Sequence, residues 1–212
     1  MYLSRLILNP RSRRVQKEIA EPYEMHRSLM RSFPETIEIP EEERMLFRVE
    51  MDQRTGVPIV LMQSFLEPLW GWLGDKGARD YLLKDPETKP FSNTLHEGEK
   101  LAFRLRANPT VKRDGKRHGL YREEEQRDWI GRKADLGGFG LNTISINQMD
   151  NVYSTIHRNG NKHRITMVAV LYEGILKVND PEKLWESIQY GIGSGKRSEE
   201  HTSELQSPLC IS

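Results

Sequence analysis

The chain has 212 residues, of which 36% are hydrophobic and 30% charged, with a formal net charge of +1. That length suits one large domain or two of about 100 residues each, and the composition allows a buried core. No apolar run is long enough to span a membrane and residues 1–10 lack a signal-peptide pattern, so the cytoplasm is the expected compartment.

Residues 2–8 read as a buried strand ended by Asn9-Pro10. Residues 11–20 are basic and helical in pattern. Pro22 suits the first turn of a next helix, predicted to run to about Phe33 before Pro34 breaks it. Residues 45–51 and 59–64 read as strands joined through Gly56-Val57-Pro58. A further helix is expected over residues 66–73, which hold Trp70 and Trp72. Strand-helix-strand-strand-helix is the order of a ferredoxin-like βαββαβ unit. Residues 84–100, with Pro86, Pro90, Asn93 and Gly98, read as a linker.

Leu101-Ala102-Phe103-Arg104-Leu105-Arg106 is an alternating strand, with Phe103 and Leu105 on one face and the arginines on the other. Residues 110–118 read as a basic loop, and residues 123–136 as a helix stopped by Gly137-Gly138. Strands are expected over 141–148 and 164–172, with a hairpin over 153–162 turning at Asn159-Gly160. Asp180 precedes Pro181 as the N-cap of a helix to Tyr190. The element order of the first half therefore recurs, then reaches Gly191-Ile192-Gly193-Ser194-Gly195-Lys196 with one strand still due. The expected fold class is α+β: two tandem ferredoxin-like (RRM-like) domains, over 1–88 and 89–196, the second missing its last strand.

Residues 197–207, Arg197-Ser198-Glu199-Glu200-His201-Thr202-Ser203-Glu204-Leu205-Gln206-Ser207, match the first-frame translation of a common sequencing adapter. Residues 197–212 are therefore read as adapter-derived and set apart from the fold. Without them, 31 Lys and Arg face 28 Asp and Glu, a net charge of +3, and the one cysteine, Cys210, is gone. A chain carrying the missing strand is expected to be more stable than this one, because an open sheet edge leaves backbone groups unpaired.

Five histidines remain, His26, His96, His118, His157 and His163. None sits at a helical metal-pair spacing or beside an acidic cluster, so neither a metal nor another cofactor is expected. On a helix from Pro22, Met25, Leu29 and Phe33 form the core stripe, while Tyr23, His26 and Arg27 share a side at its edge. These three groups suit RNA cleavage, where the 2′-OH is the nucleophile. Imidazole exchanges protons near neutrality, phenol donates or orients, and guanidinium offers a planar fork to phosphate oxygens. Alone, the triplet is more often the pattern of a tyrosine capping the core beside a half-buried histidine.

Several blocks give it context: Leu8-Asn9-Pro10, Pro22-Tyr23-Glu24-Met25-His26-Arg27, Lys89-Pro90-Phe91, Phe103-Arg104-Leu105-Arg106-Ala107-Asn108-Pro109, Gly137-Gly138-Phe139, Val168-Ala169-Val170-Leu171-Tyr172-Glu173-Gly174 and Gly191-Ile192-Gly193-Ser194-Gly195-Lys196. In this order the chain resembles the CasE family, the CRISPR RNA-processing endoribonucleases of type I-E Cascade complexes. The resemblance covers residues 1–196. It implies the tandem ferredoxin-like fold and metal-independent cutting of the repeat hairpin in precursor CRISPR RNA. The product would stay bound beside the other Cascade subunits. It also implies that Tyr23 and His26 are catalytic and that Arg27 faces the phosphate.

For the RNA stem the expected contacts are Lys112 and Arg113 in the basic loop and Arg158 and Lys162 in the hairpin; shape and phosphates are read more easily than bases there. Gly191 to Lys196 fails as a nucleotide P-loop, because Tyr190 and Arg197 stand where Gly and Ser or Thr are needed and a helix precedes it. It resembles instead the family's glycine-rich loop, with Gly193, Gly195 and Lys196 expected near RNA. Trp70, Trp72, Trp129 and Trp185 are read as packing residues. Two other readings stand beside this one: a subunit that holds CRISPR RNA without cutting it, and a ferredoxin-like metabolic enzyme unrelated to RNA.

Overall fold

The computed structural model describes residues 1–34, 45–92, 94–148, 152–158, 161–192 and 210–211, without side-chain detail for 152–158, 161–167 and 210–211. The chain divides into two compact units, Met1–Ser92 and Asn93–Ser212.

In the first unit, β1 (Tyr2–Ile7) leads into helices α1 (Arg13–Ala20) and α2 (Pro22–Met30). Strands β2 (Leu46–Met51) and β3 (Pro58–Ser64), a 3-10 helix (Trp70–Gly74) and β4 (Glu87–Pro90) follow. The sheet has the order β2-β3-β1-β4, antiparallel throughout. Leu6 and Leu8 from the β1 segment, Val60 and Met62 from β3, and Val15, Met25 and Leu29 from the helices make the core.

Three expectations change here. The α2 helix ends at Met30; Ser32 and Phe33 donate to Leu29 and Met30 in tight i→i−3 bonds, because Pro34 disfavours the helical conformation at the residue before it. Phe33 is nonetheless buried, so the stripe Met25-Leu29-Phe33 stands as expected. The helix expected over 66–73 is the short 3-10 helix, since Pro68, Gly71 and Gly74 oppose a longer α-helix. The expected linker holds β4, which pairs with β1. Thr88 anchors it, its hydroxyl 3.0 Å from Ser4 Oγ and accepting from Trp70 Nε1 at 3.0 Å.

The second unit runs through β5 (Lys100–Ala107), β6 (Thr110–Arg113), β7 (Lys116–Gly119), α3 (Glu123–Leu136) and β8 (Phe139–Gln148). It continues with β9 (Val152–Arg158), β10 (Asn161–Met167), β11 (Val170–Val178), α4 (Pro181–Tyr190) and β12 (Cys210–Ile211). Its main sheet has the order β12-β5-β11-β8, again antiparallel. Leu101, Phe103, Leu105 and Ala107 point inward along β5, as the alternation predicts. Trp129 of α3 stacks on Tyr172 of β11, and Trp72 is buried in the first unit. Asp180 caps α4 by accepting from the Lys183 amide at 3.2 Å, also as predicted.

The chain leaves α3 through Gly138 at φ +73°, where a Cβ would lie 2.7 Å from the Asp180 carbonyl oxygen. On β11, a Cβ at Gly174 would fall on the backbone oxygen of Thr143, next to a register shift at Ile175/Leu176.

Three readings of this unit are corrected. The basic loop 110–118 is the hairpin β6-β7, turned by Asp114 (φ 49°) and Gly115 (φ 77°), both left-handed as a type I′ turn requires. The strand expected over 164–172 is interrupted at Val168 and Ala169, which are buried between β10 and β11. The main sheet does not lack its fourth strand: Cys210 and Ile211 pair with Arg104 and Phe103 at the β5 edge. An edge strand's unpaired amides and carbonyls accept any extended segment, so two residues of the adapter-like tail can fill the position. Asn159 and Gly160, the expected turn between β9 and β10, lie outside the described residues.

Among the described residues, no helix is long and apolar enough to cross a membrane.

Candidate active site

The α2 helix places the catalytic candidates. With Met25 and Leu29 fully buried, helical spacing leaves Tyr23 and His26 half-buried and Arg27 exposed. The His26 ring stands 6.4 Å from the Phe47 ring of β2, tilted by 39°, and the residue is half-buried. Tyr23 is three residues from His26 and four from Arg27, the separations at which helical side chains are neighbours.

Arg27 pairs with Glu24 at 3.2 Å on α2, and Glu24 also meets Lys17 of α1 at 4.0 Å. Such exposed pairs contribute about 0–1 kcal/mol, so a phosphate can displace them. Arg14, Lys17, Arg27 and Arg31 line one shallow pocket along α1 and α2, with Glu18 and Glu24 as its acids. Arg31 is held by Asp75 at 2.5 Å and lies over the Trp72 ring at 5.1 Å.

Beneath that surface lies a polar network that the sequence analysis missed. Arg14 Nε donates to Glu18 Oε1 at 2.8 Å, Arg14 Nη2 to Ser28 Oγ at 2.7 Å, and Ser28 Oγ to the same Glu18 oxygen at 2.5 Å. The hydroxyl of Tyr81 donates to Glu18 Oε2 at 2.5 Å. Burial first, and then the bond to Glu18, push the Tyr81 phenol well above its ordinary pKa, so it stays a donor. One signal for the network existed in the sequence: Glu18 lies three residues after Val15, on the inward face of α1. Tyr81 carried none, since only folding brings it there.

The basic residues of the second unit fall in two places. Lys112 and Arg113 are exposed on β6, opposite Arg117 and Lys116 of β7, so the hairpin is cationic on both faces. Arg113 also meets Glu125 at 3.7 Å. Arg158 ends β9 opposite Asn161, and Lys162 of β10 is opposite His157. Gly193, Gly195 and Lys196 lie outside the described residues. Among the described residues, no group of three or more His, Cys, Asp or Glu stands where it could hold a metal ion.

A helix bearing phenol, imidazole and guanidinium in one unit, and a cationic hairpin in the other, are the features of a protein that handles RNA phosphates. The sequence pattern of the CRISPR associated protein family matches residues 1–197, and the chain belongs to that family. It is 34% identical over 206 residues to the CRISPR-associated endoribonuclease Cse3 of Thermus thermophilus, covering 92% of this chain and 95% of the relative. It is 28% identical over 209 residues to the CRISPR system Cascade subunit CasE of Escherichia coli K12, covering 92% and 94%. Its fold superposes on Thermus thermophilus Cse3 bound to an RNA representing a pre-cleavage complex, with a TM-score of 0.79, 33% identity, and coverage of 100% and 98%.

Proposed function

We propose that this chain is a CRISPR RNA-processing endoribonuclease that cuts precursor CRISPR RNA at its repeat hairpins and remains bound as a Cascade subunit. The observation that carries the reading is the side of α2 on which Tyr23, His26 and Arg27 stand together, in a chain 34% identical to an endoribonuclease. Both units are ferredoxin-like domains: numbering the four main-sheet strands of each in chain order, both sheets read 4-1-3-2, the order of a βαββαβ fold. The first domain takes in β4 and the second begins after it; the family match ends at residue 197, and 197–212 reads as an adapter-derived tail whose Cys210 and Ile211 take the fourth-strand position.

The reaction needs no nucleophile from the protein. The 2′-oxygen attacks the adjacent phosphorus as its proton leaves to a base, and the bond from phosphorus to the 5′-oxygen breaks as that oxygen takes a proton. Tyr23 and His26 divide these two proton tasks. Arg27 leaves Glu24 for the non-bridging phosphate oxygens and offsets the charge that builds on them. The products are a 2′,3′-cyclic phosphate and a 5′-OH, and no metal or other cofactor enters. Lys112, Arg113, Arg158 and Lys162 hold the stem by its phosphates, and Gly193, Gly195 and Lys196 bring backbone amides and one cation to the strand.

His26→Ala tests the assignment. Cleavage of a labelled repeat hairpin should be lost while the dissociation constant for the RNA stays nearly the same. Undiminished cleavage by that variant in EDTA would refute it. Tight binding with no cleavage by the unaltered chain would instead point to a subunit that only holds the RNA.

A further inference from the structure

We infer that Glu18 and Ser28, closed into one hydrogen-bonded ring with Arg14 and braced by Tyr81, are positioning residues that set the face of α2 from which Tyr23, His26 and Arg27 act. This rests on the function proposed above. Glu18 belongs to α1, Ser28 to α2, and Tyr81 to the segment after the 3-10 helix, so the ring ties three parts of the first unit at one point.

The ring is directional and largely enclosed. The Glu18 carboxylate has a side-chain exposure of only 5% and accepts from Arg14, Ser28 and Tyr81. The Arg14 guanidinium stands 5.2 Å from each of the Trp72 and Tyr81 ring centres. The Tyr81 hydroxyl also lies 3.2 Å from Met25 Sδ, so the brace touches α2 a second time. Apolar packing between two short helices tolerates small rolls, because dispersion has little direction. A buried carboxylate does not, since losing any donor leaves charge unsatisfied in a low-dielectric site.

The geometry of α2 turns that fixity into catalytic geometry. Ser28 and His26 lie about 160° apart around the helix axis, on opposite borders of the buried stripe. Pinning Ser28 therefore sets the direction in which His26 and its neighbours emerge at the other border. With side chains reaching about 5–6 Å from the axis, a roll of about 10° moves a reacting group by about 1 Å. A misplacement of that size reduces a rate by about 100-fold.

The experiment is single-turnover cleavage of a repeat-hairpin RNA by the full chain and its variants at saturating protein. Dissociation constants are measured in parallel on the same RNA carrying a 2′-deoxy group at the cut site. Ser28→Ala should lower the rate by about 10- to 100-fold and leave the dissociation constant within about twofold. Tyr81→Phe, which keeps the ring of Arg14, Glu18 and Ser28, should lower the rate less. Ser28→Thr, which restores the hydroxyl, should recover most of it. Circular dichroism at the assay temperature confirms folding; should Ser28→Ala not fold, Tyr81→Phe and Glu18→Gln decide by the same readout. Full rates in the folded variants overturn the proposal, as does a rate loss matched by an equal loss of affinity. His26→Ala runs beside them. Normal cleavage by that variant would bring down the functional reading and this proposal together. Its inactivity beside fully active Ser28 and Tyr81 variants would bring down the positioning role alone.

Discussion

Beneath α2 in the first unit lie a carboxylate, a guanidinium and two hydroxyls, from Glu18, Arg14, Ser28 and Tyr81. Beneath α3 in the second lie Trp129, Ile130 and Ala134, with only the neutral Gln126 among its buried polar residues. The strand order of the two sheets is the same. Among the described residues, the helix proposed to carry the chemistry thus rests on a buried ion pair, whereas α3 of the unit proposed to grip the RNA stem rests on apolar packing. Reaction geometry needs directional restraint, whereas a stem is gripped at exposed phosphates by side chains that can adjust.

Substitutions in each unit can break that contrast. Tyr23→Phe should have the largest effect: a fall of about 100-fold or more in single-turnover rate, with RNA affinity kept. An equal loss of affinity would mean that the first unit is a binding surface as well. Gly174→Ala should be next, acting on stability rather than rate. The new methyl meets the Thr143 backbone, and overpacking of this kind costs about 1–3 kcal/mol. Urea unfolding checks it, and an unchanged midpoint would show that the β8-β11 pairing can yield.

Replacing Lys112 and Arg113 together by Ala should weaken RNA binding and flatten its dependence on salt by about one logarithmic unit per lost phosphate contact. The cleavage rate at saturation should stay the same. A titration at several salt concentrations reads both. The smallest effect belongs to Asp180→Ala. Hydrogen bonds from Lys183 hold the Asp180 carboxyl below the usual carboxylate range. A lowered folded-state pKa stabilises above the unfolded value and is lost as pH falls through the folded one. The variant should therefore melt slightly lower at neutral pH, with the gap closing in strong acid. A constant gap would assign the loss to the helix rather than to the charge.

Much of this was legible in residue order. The stripe Met25, Leu29 and Phe33 placed Tyr23, His26 and Arg27 on one side before any coordinates, because a helix period is local. Asp180-Pro181 announced α4 for the same reason. The Asp114-Gly115 turn was equally legible as a hairpin signal, yet the surrounding cations made it read as a loop. The strand β4 was not legible: Glu87-Thr88-Lys89-Pro90 has no apolar alternation, and it is a strand because β1 offers it an edge.

Local sequence determined the chemical groups of the proposed site, since which groups share one side of α2 depends only on spacing along a helix. Closure of the polar ring beneath it was decided by tertiary structure, although its Arg14–Glu18 edge is a local i,i+4 pair on α1. Glu18, Ser28 and Tyr81 are distant along the chain and meet only when α1, α2 and the segment after the 3-10 helix pack on the same sheet. The same holds for the β5 edge, whose pairing with Cys210 and Ile211 follows from an open ladder. Periodicity is a property of neighbours in sequence; satisfying a buried carboxylate or a strand edge is a property of neighbours in space.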